Sequence, residues 1–208
     1  MSPFKRPMTP LTLSAYTLVT ANGRGIGAVA QALRDRRSGL KPCDFEDALL
    51  KTYVGRVDGL EQFRLENGIA PFDCRNNRLA WLALQQDGFM VAVAEAKQRY
   101  GADRIAVIIG TSTAGILETE HAYANRDPQT GMLPGGFTSR YRYTHDMFSA
   151  GYFVRRCLGL RGPALVISTA CSSSAKVFAS AARYLQADLC DAAIVGGVDS
   201  LCLTTLYG

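Results

Sequence analysis

The chain has 208 residues, 48% of them hydrophobic and 20% charged, with a formal net charge of +5. That is enough apolar material for one sizeable core, and no linker or low-complexity tract divides it, so residues 1–208 read as a single globular domain. The basic excess clusters at Arg34, Arg36 and Arg37 with Lys41, and at Arg155 and Arg156 with Arg161. Solvated helix faces explain both clusters. Docking of an acidic partner is the second reading, and nucleic acid is not expected without interleaved aromatic and basic residues.

In chain order, Leu11 to Val19 reads as a first strand. Lys5 and Arg6 ahead of it imitate a short signal segment, but Thr12, Ser14 and Thr17 dilute the run, and it is too short to span a bilayer. Helical periodicity then covers Gly25 to Arg37 and Arg78 to Tyr100, followed by a strand over Ile105 to Ile109 and a helix over Ile116 to Asn125. Arg126 to Thr144, rich in Gly, Pro and aromatics, reads as a long surface excursion. A helix over Asp146 to Leu158, a strand over Ala164 to Ser168, a helix over Ser172 to Gln186 and a strand over Ala192 to Val198 complete the pattern. Short β-branched runs alternating with helices predict an α/β fold with a mostly parallel, mixed sheet covered by helices on both faces.

Six cysteines (Cys43, Cys74, Cys157, Cys171, Cys190, Cys202) form no C-x-x-C pair, and His121 and His145 complete no ligand set with them, so no metal site is expected. Reduced thiols and a cytoplasmic location are the expectation. Thr20-Ala21-Asn22-Gly23-Arg24-Gly25-Ile26-Gly27 imitates the phosphate turn of short-chain dehydrogenases. Ala21 stands where that motif has its first glycine, and no tyrosine is followed four residues later by lysine. A strand-to-helix turn that needs permissive backbone is the simpler explanation.

The second motif carries more chemistry. Ala164 to Ser168 predicts a buried strand, Thr169 and Ala170 a tight turn, and Ser172-Ser173-Ser174 the start of a helix, with Cys171 between. A sulfur at a helix N-terminus faces unsatisfied N–H groups and the positive end of the macrodipole, which favour the nucleophilic thiolate. The Cys171 backbone N–H can also face the oxyanion that forms when a thioester carbonyl is attacked. On composition alone, a structural cysteine in a Ser/Ala-rich helix accounts for the same residues.

Thr169-Ala170-Cys171-Ser172-Ser173-Ser174 resembles the nucleophile motif of β-ketoacyl-acyl-carrier-protein synthases and polyketide ketosynthases. Leu160-Arg161-Gly162-Pro163 is similar to the segment leading into that strand. Gly196-Gly197-Val198-Asp199 resembles the family's Gly-Gly-x-Glu/Asp strand end, and Ile109-Gly110-Thr111-Ser112-Thr113-Ala114-Gly115 its glycine-rich acyl-pocket turn. The matches keep the family's order from about Leu11 to the last residue.

The resemblance implies the N-terminal half of a thiolase fold, in which two similar halves stack into five layers. It implies Cys171 as the acyl-accepting nucleophile, with Gly110, Thr111, Thr113 and Ala170 as acyl-pocket candidates and Tyr141, Tyr143 and Phe148 as possible wall residues. The implied substrates are acyl and malonyl groups on the phosphopantetheine arm of an acyl carrier protein, with no other cofactor. A homodimer, or a heterodimer with a ketosynthase-like subunit, is the implied assembly. The family's two catalytic histidines, a lysine and a second oxyanion donor are expected in a C-terminal half absent from these residues, so the chain alone is expected to be inactive in condensation. Thr113 stands where an elongating fatty-acid relative has a bulky aliphatic residue, a hint of an unsaturated or aryl-capped chain. Two other readings remain at this point: a noncatalytic partner of the chain-length-factor kind, and a nucleotide-dependent reductase.

Overall fold

The computed structural model describes residues 10–208. Lys5 and Arg6 lie outside the described residues. The chain first forms a two-stranded hairpin, β1 (Val19–Thr20) with β2 (Gly23–Arg24), then α1 (Ile26–Arg34) and a second antiparallel pair, β3 (Leu40–Pro42) with β4 (Tyr53–Gly55). A 3-10 turn over Asn67–Phe72 leads into α2 (Arg75–Leu84) and α3 (Phe89–Tyr100). The central strand β5 (Ile105–Gly110) follows, then α4 (Ile116–Ala124), α5 (Phe137–Arg140), a π-helical turn (Tyr141–His145) and α6 (Ser149–Cys157). The chain closes through β6 (Ala164–Ile167), α7 (Ser173–Gln186), β7 (Ala192–Gly197) and α8 (Leu203–Tyr207).

β5, β6 and β7 form a parallel sheet in the order β6-β5-β7, with Val107 opposite Ala164 and Ile105 opposite Ala192. Among the described residues, antiparallel pairing occurs in the two small two-stranded sheets beside it. Every residue of β5 is buried, and its two faces serve two cores. Ile105, Val107 and Ile109 meet Ala80, Leu84, Val93, Phe153 and Val154 from α2, α3 and α6. Ala106 and Ile108 meet Val177 and Ala181 of α7 on the other face. This is period-two alternation in a strand buried on both sides, and each large side chain so buried contributes about 1.5–3 kcal/mol.

Leu11 to Val19 is not a strand. Only Val19 and Thr20 pair, and their partners are Thr20's own hairpin neighbours rather than the sheet. The stretch from Pro10 to Ala15 instead walls a groove along β7. The single helix expected over Arg78 to Tyr100 is two helices. Asp87 (φ 56°) and Gly88 (φ 69°) both adopt the left-handed conformation, which ends α2 and starts α3 in a new direction. Likewise α1 stops at Arg34, and Arg36 (φ 52°) turns the chain before Arg37. The excursion from Arg126 to Thr144 is largely exposed but holds α5 and most of the π turn. No helix among the described residues is long and apolar enough to cross a membrane.

Candidate active site

β6 delivers the chain to Cys171, and the turn that presents it is under backbone strain. Ala170 sits at φ 53°, a left-handed conformation that costs a residue with a Cβ about 1–2 kcal/mol. Hydrogen bonds hold it there. The Ala170 carbonyl accepts from the Ser173 N–H at 3.0 Å, from Ser173 Oγ at 2.7 Å and from Ser112 Oγ at 3.1 Å. The Thr169 N–H donates to Ser173 Oγ at 2.9 Å, and Ser172 Oγ donates to the Thr169 carbonyl at 2.9 Å. Ser172 and Ser173 therefore turn their hydroxyls back onto the elbow instead of capping α7. Cys171 itself is exposed at the head of α7.

Two glycines let α7 begin directly over the ends of the strands. A Cβ on Gly110 would come within 2.6 Å of the Ser173 backbone, and one on Gly197 within 1.8 Å of Ser174 Oγ. Gly110 thus serves a backbone approach that no larger residue permits.

The glycine-rich turn after β5 is gripped by Asp199 at the end of β7. Asp199 Oδ1 accepts the N–H of Ser112 at 2.7 Å and of Thr113 at 3.1 Å, and lies 3.2 Å from Thr111 Oγ1 and 3.0 Å from Thr113 Oγ1. Thr111 Oγ1 accepts the Ala114 N–H at 2.9 Å, and Thr113 Oγ1 accepts the Ser200 N–H at 3.0 Å. Both threonines are buried, and the Thr113 hydroxyl also lies 3.3 Å from Asn76 Oδ1. Of the acyl-pocket candidates, Ala170 belongs to the Cys171 turn and Gly110 packs against the start of α7, whereas the Thr111 and Thr113 hydroxyls engage Asp199 in support of the glycine-rich turn. Ser112 and Asp199 complete that support. Sequence reasoning noticed both as parts of motifs without assigning them this work.

The other residues singled out from sequence are dispersed. His145 Nδ1 lies 3.1 Å from Thr119 Oγ1, and His121 Nε2 pairs with Glu46 at 3.3 Å. Burial, with the neighbouring Arg140 charge, lowers the His145 pKa from the ordinary histidine value. Tyr141 stacks on His145, and Phe148 is half exposed. Of the remaining cysteines, Cys74, Cys190 and Cys202 are buried and Cys43 and Cys157 partly so. Burial pushes the thiols of Cys74 and Cys157 up to about 12.

The glycine turn ahead of α1 is filled by the protein itself. The Asp87 carboxylate accepts the Ile26 N–H at 3.0 and 3.1 Å, placing a negative charge where a dinucleotide pyrophosphate would sit. The strand before that turn also belongs to a hairpin, not to a parallel sheet.

A parallel α/β sheet that presents a thiol on a strained strand-to-helix elbow defines a class of protein built to expose one cysteine beside backbone donors. The family model described as "Beta-ketoacyl synthase, N-terminal domain" matches residues 13–207, and the chain belongs to that family. It is 37% identical over 102 residues to the non-reducing polyketide synthase phnA of Penicillium herquei, a match covering 48% of this chain and 4% of that protein. It is 36% identical over 84 residues to a mycocerosic acid synthase-like polyketide synthase of Mycobacterium tuberculosis, covering 40% of this chain and 4% of that protein. In the solved structure of a ketosynthase in complex with its chain length factor from Xenorhabdus doucetiae, one chain matches with a TM-score of 0.74 at 31% identity. That match covers 94% of this chain and 48% of the other, so the fold is thiolase-like and the chain spans about half of that relative's length. It spans a few per cent of the polyketide synthases.

Proposed function

We propose that this chain supplies the nucleophile-bearing half of a β-ketoacyl-[acyl-carrier-protein] synthase acting in fatty acid, polyketide or aryl-polyene-type biosynthesis. The observation that carries the reading is the exposed Cys171 on a strained elbow clamped by Ser112, Ser173 and, through the glycine-rich turn, Asp199. In the first half-reaction, Cys171 Sγ attacks the thioester carbonyl on the phosphopantetheine arm of an acyl carrier protein. A new C–S bond forms, the negative charge passes through an oxyanion near the Cys171 N–H, and the carrier thiol leaves with the proton. In the second, a malonyl carrier protein loses carbon dioxide and its carbanion attacks the Cys171 thioester. A C–C bond forms and the Cys171 sulfur departs as thiolate. The histidines that the family uses for this step belong, by resemblance, to a second half.

Gly110, Thr111, Thr113 and Ala170 place the glycine-rich turn beside the acyl group on Cys171, and we retain them as residues that shape that end of the pocket through the backbone. No redox cofactor or metal enters the scheme. The Xenorhabdus ketosynthase was solved with a chain length factor, which supports pairing with a ketosynthase-like subunit; a homodimer is the simpler assembly. A noncatalytic role like that of such a factor is disfavoured by the retained, exposed Cys171. The reductase reading fails where Asp87 occupies its phosphate turn.

The test is covalent capture. The chain is mixed with an acylated carrier protein, and peptide mass spectrometry is used to look for the acyl group on Cys171. The reading requires an adduct at Cys171 that disappears in Cys171→Ala; an acyl group found only on other residues overturns it.

A further inference from the structure

A cavity of about 580 Å³ lies at the opposite end of β6 from Cys171. The four residues of the strand alone set the two apart by about 13 Å. Its walls come from four separate parts of the chain. Pro71 and Phe72 close the turn before α2, Arg142 and Tyr143 belong to the π turn, Tyr152, Arg155 and Arg156 to α6, and Arg161 to the lead-in to β6. Among the described residues no carboxylate lines it.

Arg142 and Arg155 are held in place without being neutralised. Arg142 and Arg155 both lie over the Tyr152 ring, 5.7 and 5.5 Å from its centroid. Arg155 Nη1 also donates to the Gly162 carbonyl at 3.4 Å. Arg156 Nη2 lies beside Gly68, 3.7 Å from where a Cβ on that glycine would stand. Among the described residues none of these three has a carboxylate partner, whereas Arg161 is paired with Asp103 through two bonds of 2.8 Å. Phe72 and Tyr143 meet edge to face at 5.1 Å and form the apolar wall. Three uncompensated guanidinium groups thus converge on one concave space.

We propose that this cavity binds a small phosphorylated polyanion, carrying at least two negative charges. Convergent like charges repel one another, so the empty cavity is electrostatically unfavourable and a polyanion relieves it. Planar guanidinium forks match phosphoryl oxygens in geometry, and the Tyr152 ring orients two of them before any ligand arrives. The cavity is a half-open concave space, and its volume of about 580 Å³ falls in the range of small-molecule sites. Binding here is independent of the chemistry assigned to Cys171.

Isothermal titration of the full chain with inorganic diphosphate, at roughly 0.15 M salt to suppress surface binding, tests the proposal. Saturable one-to-one binding is expected, together with a rise in Tm on adding diphosphate. Arg142→Gln/Arg155→Gln is expected to weaken binding by at least about tenfold and to abolish the Tm rise. Arg156→Gln, which leaves both Tyr152 contacts intact, checks the result should the double variant fold poorly. Arg34→Gln/Arg37→Gln, in the other basic cluster, is expected to bind as the parent does. Absence of saturable binding, or equal loss in the Arg34/Arg37 variant, overturns the proposal. So does tight binding of polyglutamate without binding of diphosphate, which would assign the surface to an acidic protein instead.

Discussion

The Asp199 carboxylate accepts the Ser112 backbone N–H at 2.7 Å, and this contact ties the end of β7 to the turn that supports the Cys171 elbow. The same oxygen takes the Thr113 N–H, while the Ser112 hydroxyl reaches the Ala170 carbonyl at 3.1 Å. Asp199→Ala leaves the Ser112 N–H without this acceptor and the Thr113 N–H with only its 3.3 Å bond to Thr111 Oγ1, and is expected to destabilise the chain by about 1–2 kcal/mol. Ser112→Ala removes one of three donors to Ala170 and is expected to cost under about 1 kcal/mol, yet to slow acyl transfer to Cys171 about tenfold by loosening its position. Thermal melts with single-turnover acyl transfer separate the two effects. An unchanged Tm in Asp199→Ala would show that the clamp carries no stability.

Gly110→Ala is expected to destabilise the chain by about 1–3 kcal/mol, because its Cβ meets the Ser173 backbone at 2.6 Å and backbone cannot yield as a side chain can. Gly196 has open space at the corresponding position, so Gly196→Ala serves as the control. Chemical denaturation of both variants checks the contrast. Equal stabilities would mean that α7 does not begin so close to β5.

Iodoacetamide at pH 8 is expected to modify Cys171 first. It is exposed, whereas Cys74 and Cys157 have burial-raised thiols near 12, leaving about one in ten thousand ionised at that pH. Peptide mapping of partly labelled protein decides the order. Early modification of Cys74 in native protein would contradict the packing around α2.

Acid is expected to loosen the segment that leads into α2. Burial raises the Asp73 carboxyl, but the Arg78 hydrogen bonds at 2.6 and 2.8 Å, the Leu65 N–H and the Arg78 charge outweigh it and hold the pKa below its ordinary value. Glu61 is likewise lowered: burial raises it, and Arg75 and Arg56 prevail. A folded-state pKa below the unfolded one contributes stability that is complete above the unfolded value and is lost as pH falls through the folded value. Stability measured from pH 6 downward should therefore fall below about pH 4. Asp73→Asn should remove part of that slope and cost about 2 kcal/mol at pH 7, where the pair is otherwise intact.

Much of this architecture was legible because its signals are local. The run Ile105 to Gly110 is apolar on both faces, which only a strand covered by helices on both sides satisfies. The Thr169 to Ser174 motif located the elbow for the same reason: a strand, a turn and a helix start follow one another directly. Leu11 to Val19 misled because alternating Thr and Leu fit a strand whether or not a partner is there to pair with it. The break between α2 and α3 was signalled by Asp87-Gly88, a turn pair embedded in an otherwise continuous helical pattern.

By itself, the sequence determined that a parallel α/β sheet forms and that Cys171 stands at a strand-to-helix junction, since both follow from residue types within a few positions of one another. Only the tertiary structure decided what surrounds that junction. Asp199 reaches Ser112 across 87 residues of chain, and Asp87 reaches Ile26 across 61. Arg142 meets Arg155 over a single tyrosine ring. Such contacts depend on which strand ends and helix faces the fold brings together, and no local pattern encodes that distance.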